Sequence, residues 1–331
     1  MSTRSKLLGM AAMLAVSMSF LPATAFAQTF RLAHHHAVGG AVDKAAKHFA
    51  ALVNEKSGKR ITIRVFPGAQ LGQEREAYDL VNQGAIDISI TSTAILDKVF
   101  PPMTVTSLPF VFRDWDHARS VYKGEFGKAL TEGVRQTSDT EILSFIHLGF
   151  RDLLFTGAPA TAVAAMQGKR MRSPENFVWI RMFELMGARP TPVTWGEVYT
   201  AMQTGVAEGL DSPPATALDM KFNEVTKTLV KTGHMFGSMV FVMNETKFNS
   251  LKPEDQALLK AAAVETGDWS DTEVAMPEEK SAYDRLVKAG VKVVEPENID
   301  QWRTAMAPLR TEGSARNDGS DRFIKMLVDG R

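Results

Sequence analysis

The chain has 331 residues, with 38 basic and 38 acidic side chains and no cysteine. That balance excludes the electrostatic footprint needed for nucleic acid or an anionic membrane surface. The missing cysteine excludes disulfides, thiolate metal sites and a cysteine nucleophile together, so stability must come from a hydrophobic core. A mature length of roughly 300 residues is ample for such a core and favours two lobes over one.

The first element is a leader. Arg4 and Lys6 precede an apolar run from Leu7 to Leu21, and Ala25-Phe26-Ala27 presents the small residues that a signal peptidase accepts. At about 15 residues the run is shorter than the roughly 20 a spanning helix needs, so we read residues 1–27 as a signal peptide cleaved between Ala27 and Gln28. Every later apolar stretch is interrupted by charge, so the mature chain reads as a soluble protein working outside the cytoplasm.

Strand and helix then alternate. Thr29 to Ala33 reads as a strand, Ala41 to Lys56 as an amphipathic helix, and Ile61 to Val65 as a half-buried strand with period two. Gln73 to Asn82 reads as helix and Ala85 to Ile90 as a strand ending in the hydroxyl-rich Thr91-Ser92-Thr93. After turns at Pro101-Pro102 and Leu108-Pro109-Phe110, Glu141 to Leu148 is a strand and Gly149-Phe150-Arg151 a crossing between lobes.

A second series follows: Lys169 to Arg172, Phe177 to Met186, Arg189 to Val193, Glu197 to Gln203 and Glu208 to Asp211. Met235 to Met243 returns the chain to the first sheet, and from Pro253 the pattern is mostly helical, with Val291 to Val294 as a late strand. The alternation predicts an α/β fold of two lobes, each a mainly parallel sheet flanked by helices, with a helical C-terminal region. The expected division is 28–149 plus 238–277 for one lobe and 150–237 plus 278–331 for the other. Two lobes joined by more than one crossing make a hinged clamp.

No two glycines stand two positions apart, so the G-x-G-x-x-G dinucleotide pattern is absent, and so are the phosphate loop, the H-E-x-x-H zinc helix and the G-x-S-x-G elbow. The run His34-His35-His36 suggests a metal site, but neighbours on an extended strand point to opposite faces, so no metal ligand is assigned. Nor is any cofactor or catalytic residue. Arg151 at the crossing and Arg172 at a strand end carry planar forks that match a carboxylate, although an arginine is more often a surface ion-pair partner.

The surroundings of these arginines decide between the two. From Gly168 the chain reads Gly-Lys-Arg-Met-Arg-Ser-Pro, and from Leu185 to Gly209 it reads Leu-Met-Gly-Ala-Arg-Pro-Thr-Pro-Val-Thr-Trp-Gly-Glu-Val-Tyr-Thr-Ala-Met-Gln-Thr-Gly-Val-Ala-Glu-Gly. Together with Phe66 to Gly72 and Lys221 to Val225, these segments resemble the DctP-type solute-binding subunit of TRAP (tripartite ATP-independent periplasmic) transporters. The resemblance covers most of the mature chain. It implies a non-enzymatic, monomeric clamp that captures an organic acid and delivers it to TRAP membrane permease subunits.

By the same resemblance Arg172 holds the ligand carboxylate, often with Arg151 as a second contact. Trp195 matches a position that packs over the ligand, against the alternative of a core aromatic beside Val193 and Val198. Glu74 and Ser92 match positions that meet the far part of the ligand, and His35 lies where the first strand reaches the cleft. At Gly209-Leu210-Asp211-Ser212-Pro213 the chain departs from the family's Gly-x-Glu-Asn-Pro pattern, and Ser212 stands where an asparagine usually helps bind the carboxylate. The polar set of Glu74, Ser92, His35 and Ser212 leans toward a hydroxylated ligand such as a sugar acid. Two other readings stay open: a sensing module that reports ligand occupancy at the membrane, and an exported enzyme using His35 with Glu74 as acid and base.

Overall fold

The computed structural model describes residues 28–316 and 319–329, so the leader and its cleavage site lie outside the described residues. Nine strands form one twisted sheet: β1 (Gln28–His34), β2 (Ile61–Phe66), β3 (Ile88–Ser92), β4 (Thr140–Phe155), β5 (Arg170–Ser173), β6 (Arg189–Pro192), β7 (Gly209–Ser212), β8 (Thr228–Asn244) and β9 (Lys292–Val294). Their order is β2-β1-β3-β8-β4-β7-β5-β6, with β9 on the other side of β8.

The first-lobe helices are α1 (Ala41–Lys56), α2 (Glu74–Asn82), α3 (Trp115–Lys123) and α4 (Glu125–Thr137); the second lobe carries α5 (Phe177–Leu185), α6 (Val198–Gln203) and α7 (Pro214–Asp219). Next come α8 (Glu245–Asn249), α9 (Pro253–Trp269), α10 (Met276–Lys288), α11 (Ile299–Met306), α12 (Pro308–Arg316) and α13 (Ser320–Asp329). A π-helical segment, Ser270–Ala275, joins α9 to α10 without a break.

The pairings β1–β2, β1–β3, β5–β6, β5–β7 and β8–β9 are parallel, as strand-helix alternation dictates, because each parallel step needs a crossover connection. The antiparallel pairings all involve β4 or β8. These two strands serve both lobes: residues 140–146 of β4 pair with 239–244 of β8 in the first, and 153–155 pair with 228–230 in the second.

Both strands are longer than their sequence patterns suggest. Register shifts at Ile142/Ser144, His147/Gly149 and Arg151/Leu153 break the period-two alternation that marks a strand. Gly149 sits at the bend with φ +93, facing Gly237, and a Cβ there would fall 2.8 Å from Glu279 Oε2. Glu279 on α10 accepts a hydrogen bond from Phe150 N at 3.0 Å and another from Trp115 Nε1 on α3. Backbone and helix therefore meet at the crossing with no room for a side chain.

The burial follows the elements' periods. On α1 the buried positions Ala41, Val42, Ala45, Ala46, Phe49 and Val53 lie on one helical face against the apolar side of β1 and β2, and Phe49 meets Phe241 with ring centroids 5.0 Å apart. A second cluster runs along the opposite face, from Tyr78 and Leu130 in the first lobe to Trp179 and Phe183 in the second. A third packs Val198, Met202, Leu210 and Phe222 against Leu286 of α10.

One expectation is corrected. Within the segment 278–331 expected in the second lobe, α13 lies on the first, because Phe323 packs on Phe100 and Phe126 and His117 Nε2 lies 3.0 Å from the Leu327 carbonyl oxygen. The apolar pattern of α13 marked a buried face without marking its partner.

Candidate ligand-binding cleft

Parallel strands deliver their C-terminal ends to the same edge, and there the two lobes face each other across a cavity of about 320 Å³. His35 and His36 enter from the end of β1, Glu74 from the first turn of α2 and Ser92 from the end of β3. From the facing lobe come Arg172 on β5 and Trp195 on the short turn after β6, while Arg151 stands on the crossing strand β4. The structure thus brings together six of the seven residues singled out in the sequence.

Ser212 is the seventh, and it does not line the cavity. It is fully buried on β7 opposite Asp152, and its hydroxyl donates to the Pro213 carbonyl at 3.1 Å. Thr216, one turn into α7, lines the cavity instead.

The two arginines differ in kind. Arg151 Nε donates to Asp211 Oδ2 at 2.5 Å and its Nη2 to the Asp211 carbonyl at 2.7 Å, with the guanidinium 5.4 Å above the Trp179 ring. Burial alone would raise the Asp211 carboxyl, but the Arg151 charge and hydrogen bond, with the His234 ring 3.6 Å away, outweigh it and hold it well below the carboxylate range. Arg151 is therefore neutralised and aimed before any ligand arrives.

Arg172 is only 4% exposed, and its Nε and Nη2 both donate to the Val193 carbonyl, at 2.9 and 2.8 Å. It forms no ion pair among the described residues. Burial lowers its pKa to about 10, the nearby Asp211 carboxylate partly opposing this, so the group is still a cation at neutral pH. Its face lies 5.3 Å from the Trp195 centroid, and that indole rests on Phe222 at 5.4 Å and on His36 of the other lobe at 5.6 Å. Trp195 thus joins both earlier readings: it is anchored in the core on one side and walls the cavity on the other. Its Nε1 is buried without a hydrogen-bond partner.

On the opposite wall Glu74 Oε1 accepts from Ser92 N at 2.6 Å and from Thr91 Oγ1 at 3.2 Å, and His35 Nε2 approaches it at 3.8 Å. Burial pushes Glu74 up, but the His35 ring and the hydrogen bonds from Ser92 and Thr91 more than offset it, leaving the carboxyl ionised below its ordinary range. Both of these hydrogen bonds fall on Oε1, so Oε2 is left to accept from a ligand. Burial drives His35 and His36 below the ordinary imidazole range, so both rings are neutral at pH 7.

The histidine run splits three ways: His34 turns to Asp43 at 3.3 Å, His35 to Glu74, and His36 to Trp195. Among the described residues no group of three or more His, Asp and Glu side chains is placed to hold a metal ion, and no helix is long and apolar enough to cross a membrane. The sequence reading missed Asn176 and Asp211. Asn176 caps α5 through Val178 N and donates to the Ala94 carbonyl and Asp97 Oδ2 across the cleft, at 3.1 and 2.9 Å. Its position at a helix start, just after Arg172-Ser-Pro-Glu, was the available signal.

Comparison with known proteins agrees with this geometry. Residues 32–316 match the family model described as bacterial extracellular solute-binding protein, family 7. The 2,3-diketo-L-gulonate-binding periplasmic protein YiaO of Escherichia coli K12 is 29% identical over 315 residues, covering 94% of this chain and 92% of that protein. A TRAP periplasmic solute-binding protein of Xanthobacter autotrophicus Py2, solved with bound β-D-galacturonate, superposes with a TM-score of 0.87 at 26% identity, covering 91% of this chain and 100% of the other. One from Roseobacter denitrificans, solved with β-D-glucuronate, gives 0.86 at 25% identity, with 91% and 99% covered. With the clamp, its cleft arginines and a family match across nearly all the described residues, this chain belongs to the family 7 extracellular solute-binding proteins, the non-enzymatic periplasmic subunits that serve TRAP membrane permeases.

Proposed function

We propose that the cleft captures a hydroxylated monocarboxylic acid of the hexuronate type and presents it to a TRAP permease. The observation that carries this reading is Arg172, a buried cation that opens into the cavity, is stacked on Trp195 and has no ion-pair partner among the described residues. A ligand carboxylate supplies the missing counter-charge, and each hydrogen bond to such a charged pair contributes about 1.5–3 kcal/mol.

The far wall favours hydroxyls over a second carboxylate. Ionised Glu74 offers Oε2 as an acceptor, and neutral His35 and the Ser92 hydroxyl can each donate or accept. Arg172 facing ionised Glu74 suits a ligand that is an anion at one end and a hydroxyl donor at the other, with Arg75, Asp97, Lys98 and Glu175 also on the lining. A uronic acid has that shape, and the relatives solved with galacturonate and glucuronate support the class. We assign signal cleavage after Ala27, which delivers the clamp to the periplasm. We place one lobe at 28–149 with 238–277 and the other at 150–237 with α10, leaving α13 on the first.

Titration calorimetry with D-galacturonate, D-glucuronate and D-galactose tests the reading. Micromolar or tighter binding of a uronate, with D-galactose failing to compete, is expected. Equal affinity for the neutral sugar, or a uronate affinity unchanged in Arg172→Ala, overturns it.

A further inference from the structure

Helix α1 begins without a cap of its own. Its N-cap position is Gly40, which has no side chain to accept from the first-turn N–H groups. The acceptor comes from the other lobe: Ala41 N donates at 3.3 Å to Oδ2 of Asp219, the last residue of α7, 178 residues further along the chain. Gly40 itself supplies an independent observation. Its φ of −74 is open to any residue, but a Cβ there would lie 2.7 Å from Asp219 Oδ2 and 3.1 Å from its Cγ. Glycine is required by the approach of that carboxylate and not by the backbone angle.

One turn further, Lys44 of α1 pairs with Glu278 of α10 across the same seam, at 2.5 Å. Neither Gly40 nor Asp219 lines the ligand cavity. Burial and the Glu278 charge raise the Asp219 carboxyl, the hydrogen bond from Ala41 at the positive end of the helix partly opposes them, and the orphan N–H keeps this partner only while the lobes are together.

We propose that Asp219 is an interlobe helix cap. Closure of the cleft delivers its carboxylate to the bare N-terminus of α1, opening withdraws it, and the contact sets the closed population without touching the ligand. Asp219 is then a positioning residue for capture. Affinity for any ligand that binds the closed form scales with the closed fraction that remains.

The absence of native cysteine allows spin labels at Val206→Cys and Val264→Cys, exposed sites before β7 and on α9 respectively. Distances between them are measured without ligand and with saturating D-galacturonate. In Asp219→Ala and in Gly40→Ala the distribution is expected to move toward longer distances in at least one condition. The galacturonate dissociation constant should rise about 3- to 30-fold, the span that loss of a helix cap implies. Asp219→Asn, which keeps an acceptor oxygen, is expected to fall between.

Distributions identical to the parent in both variants and both conditions overturn the cap, and so does an affinity loss with no change in distance. The test rests on the uronate reading only for its second arm. If galacturonate leaves the parent distribution unmoved, that reading fails, while the ligand-free comparison still decides the cap.

Discussion

Asp211 Oδ2 lies 2.5 Å from Arg151 Nε, and the same carboxylate accepts from Trp179 Nε1 at 3.0 and 3.1 Å, so one arginine of the cavity lining has its charge already balanced. Asp211→Asn should leave a buried guanidinium without a counter-charge and destabilise the protein by about 3–5 kcal/mol, read as a lowered urea midpoint. Because the Asp211 carboxyl is held below its ordinary range, this stabilisation is present through the neutral range. It is lost only as pH falls beneath the range in which free carboxylates protonate. A midpoint equal to the parent at pH 7 contradicts the pairing.

Arg172→Lys keeps the charge but not the fork that grips Val193 O and stacks on Trp195. Uronate affinity should drop at least tenfold, about 1.4 kcal/mol, with little change in melting temperature without ligand. Calorimetry and a thermal melt on the same sample separate the two effects. Retained affinity would show that charge alone suffices.

Glu74 places a negative charge on the far wall, which Arg75 and Lys98 also line. An aldarate, with a second carboxylate in place of the uronate's C1 aldehyde or hemiacetal, should meet Glu74 as a like charge and bind at least tenfold more weakly than the matching uronate. In Glu74→Gln that preference should shrink, since the amide can donate to a carboxylate. Competition between D-galacturonate and galactarate measures it, and a ratio unmoved by the substitution removes Glu74 from the specificity set.

Two buried groups pull the pH dependence of stability in opposite directions. Burial lowers His34 to about 4, against the partial opposition of Asp43, so between pH 6.5 and 4 the unfolded chain binds a proton that the folded chain refuses, and stability rises with pH. That effect is on the order of 3 kcal/mol. Burial raises Asp152 to about 7, so from the ordinary carboxylate range up to that pH the folded chain holds a proton that the unfolded chain has released, and stability falls with pH. Asp152→Asn removes the second of these two slopes. Its stability should climb more steeply between pH 4 and 6.5 than that of the parent, by urea titration at fixed pH values.

What the sequence revealed depended on how local each signal was. The α1 face and the β1 and β2 patterns are legible because periodicity is a property of a short window. Arg172, Trp195 and Glu74 were placed at the cleft by resemblance of the segments around them. Asp211 escaped notice because its role exists only through the β4–β7 register, which sets Leu153 opposite Asp211 across 58 residues of chain. Ser212 failed for the same reason: a position matched by alignment faces Asp152 and the core, and its one donor is spent on Pro213. The full lengths of β4 and β8 were hidden by the bulges that let them bend.

The position of β8 between β3 and β4 also governs the order in which the molecule can be assembled. Strands made early, β1 to β4, cannot complete their sheet until residues 239–244 have been synthesised and threaded between β3 and β4. Contacts of such long sequence separation form slowly. Both lobes therefore complete their shared sheet only when this one late strand is in place.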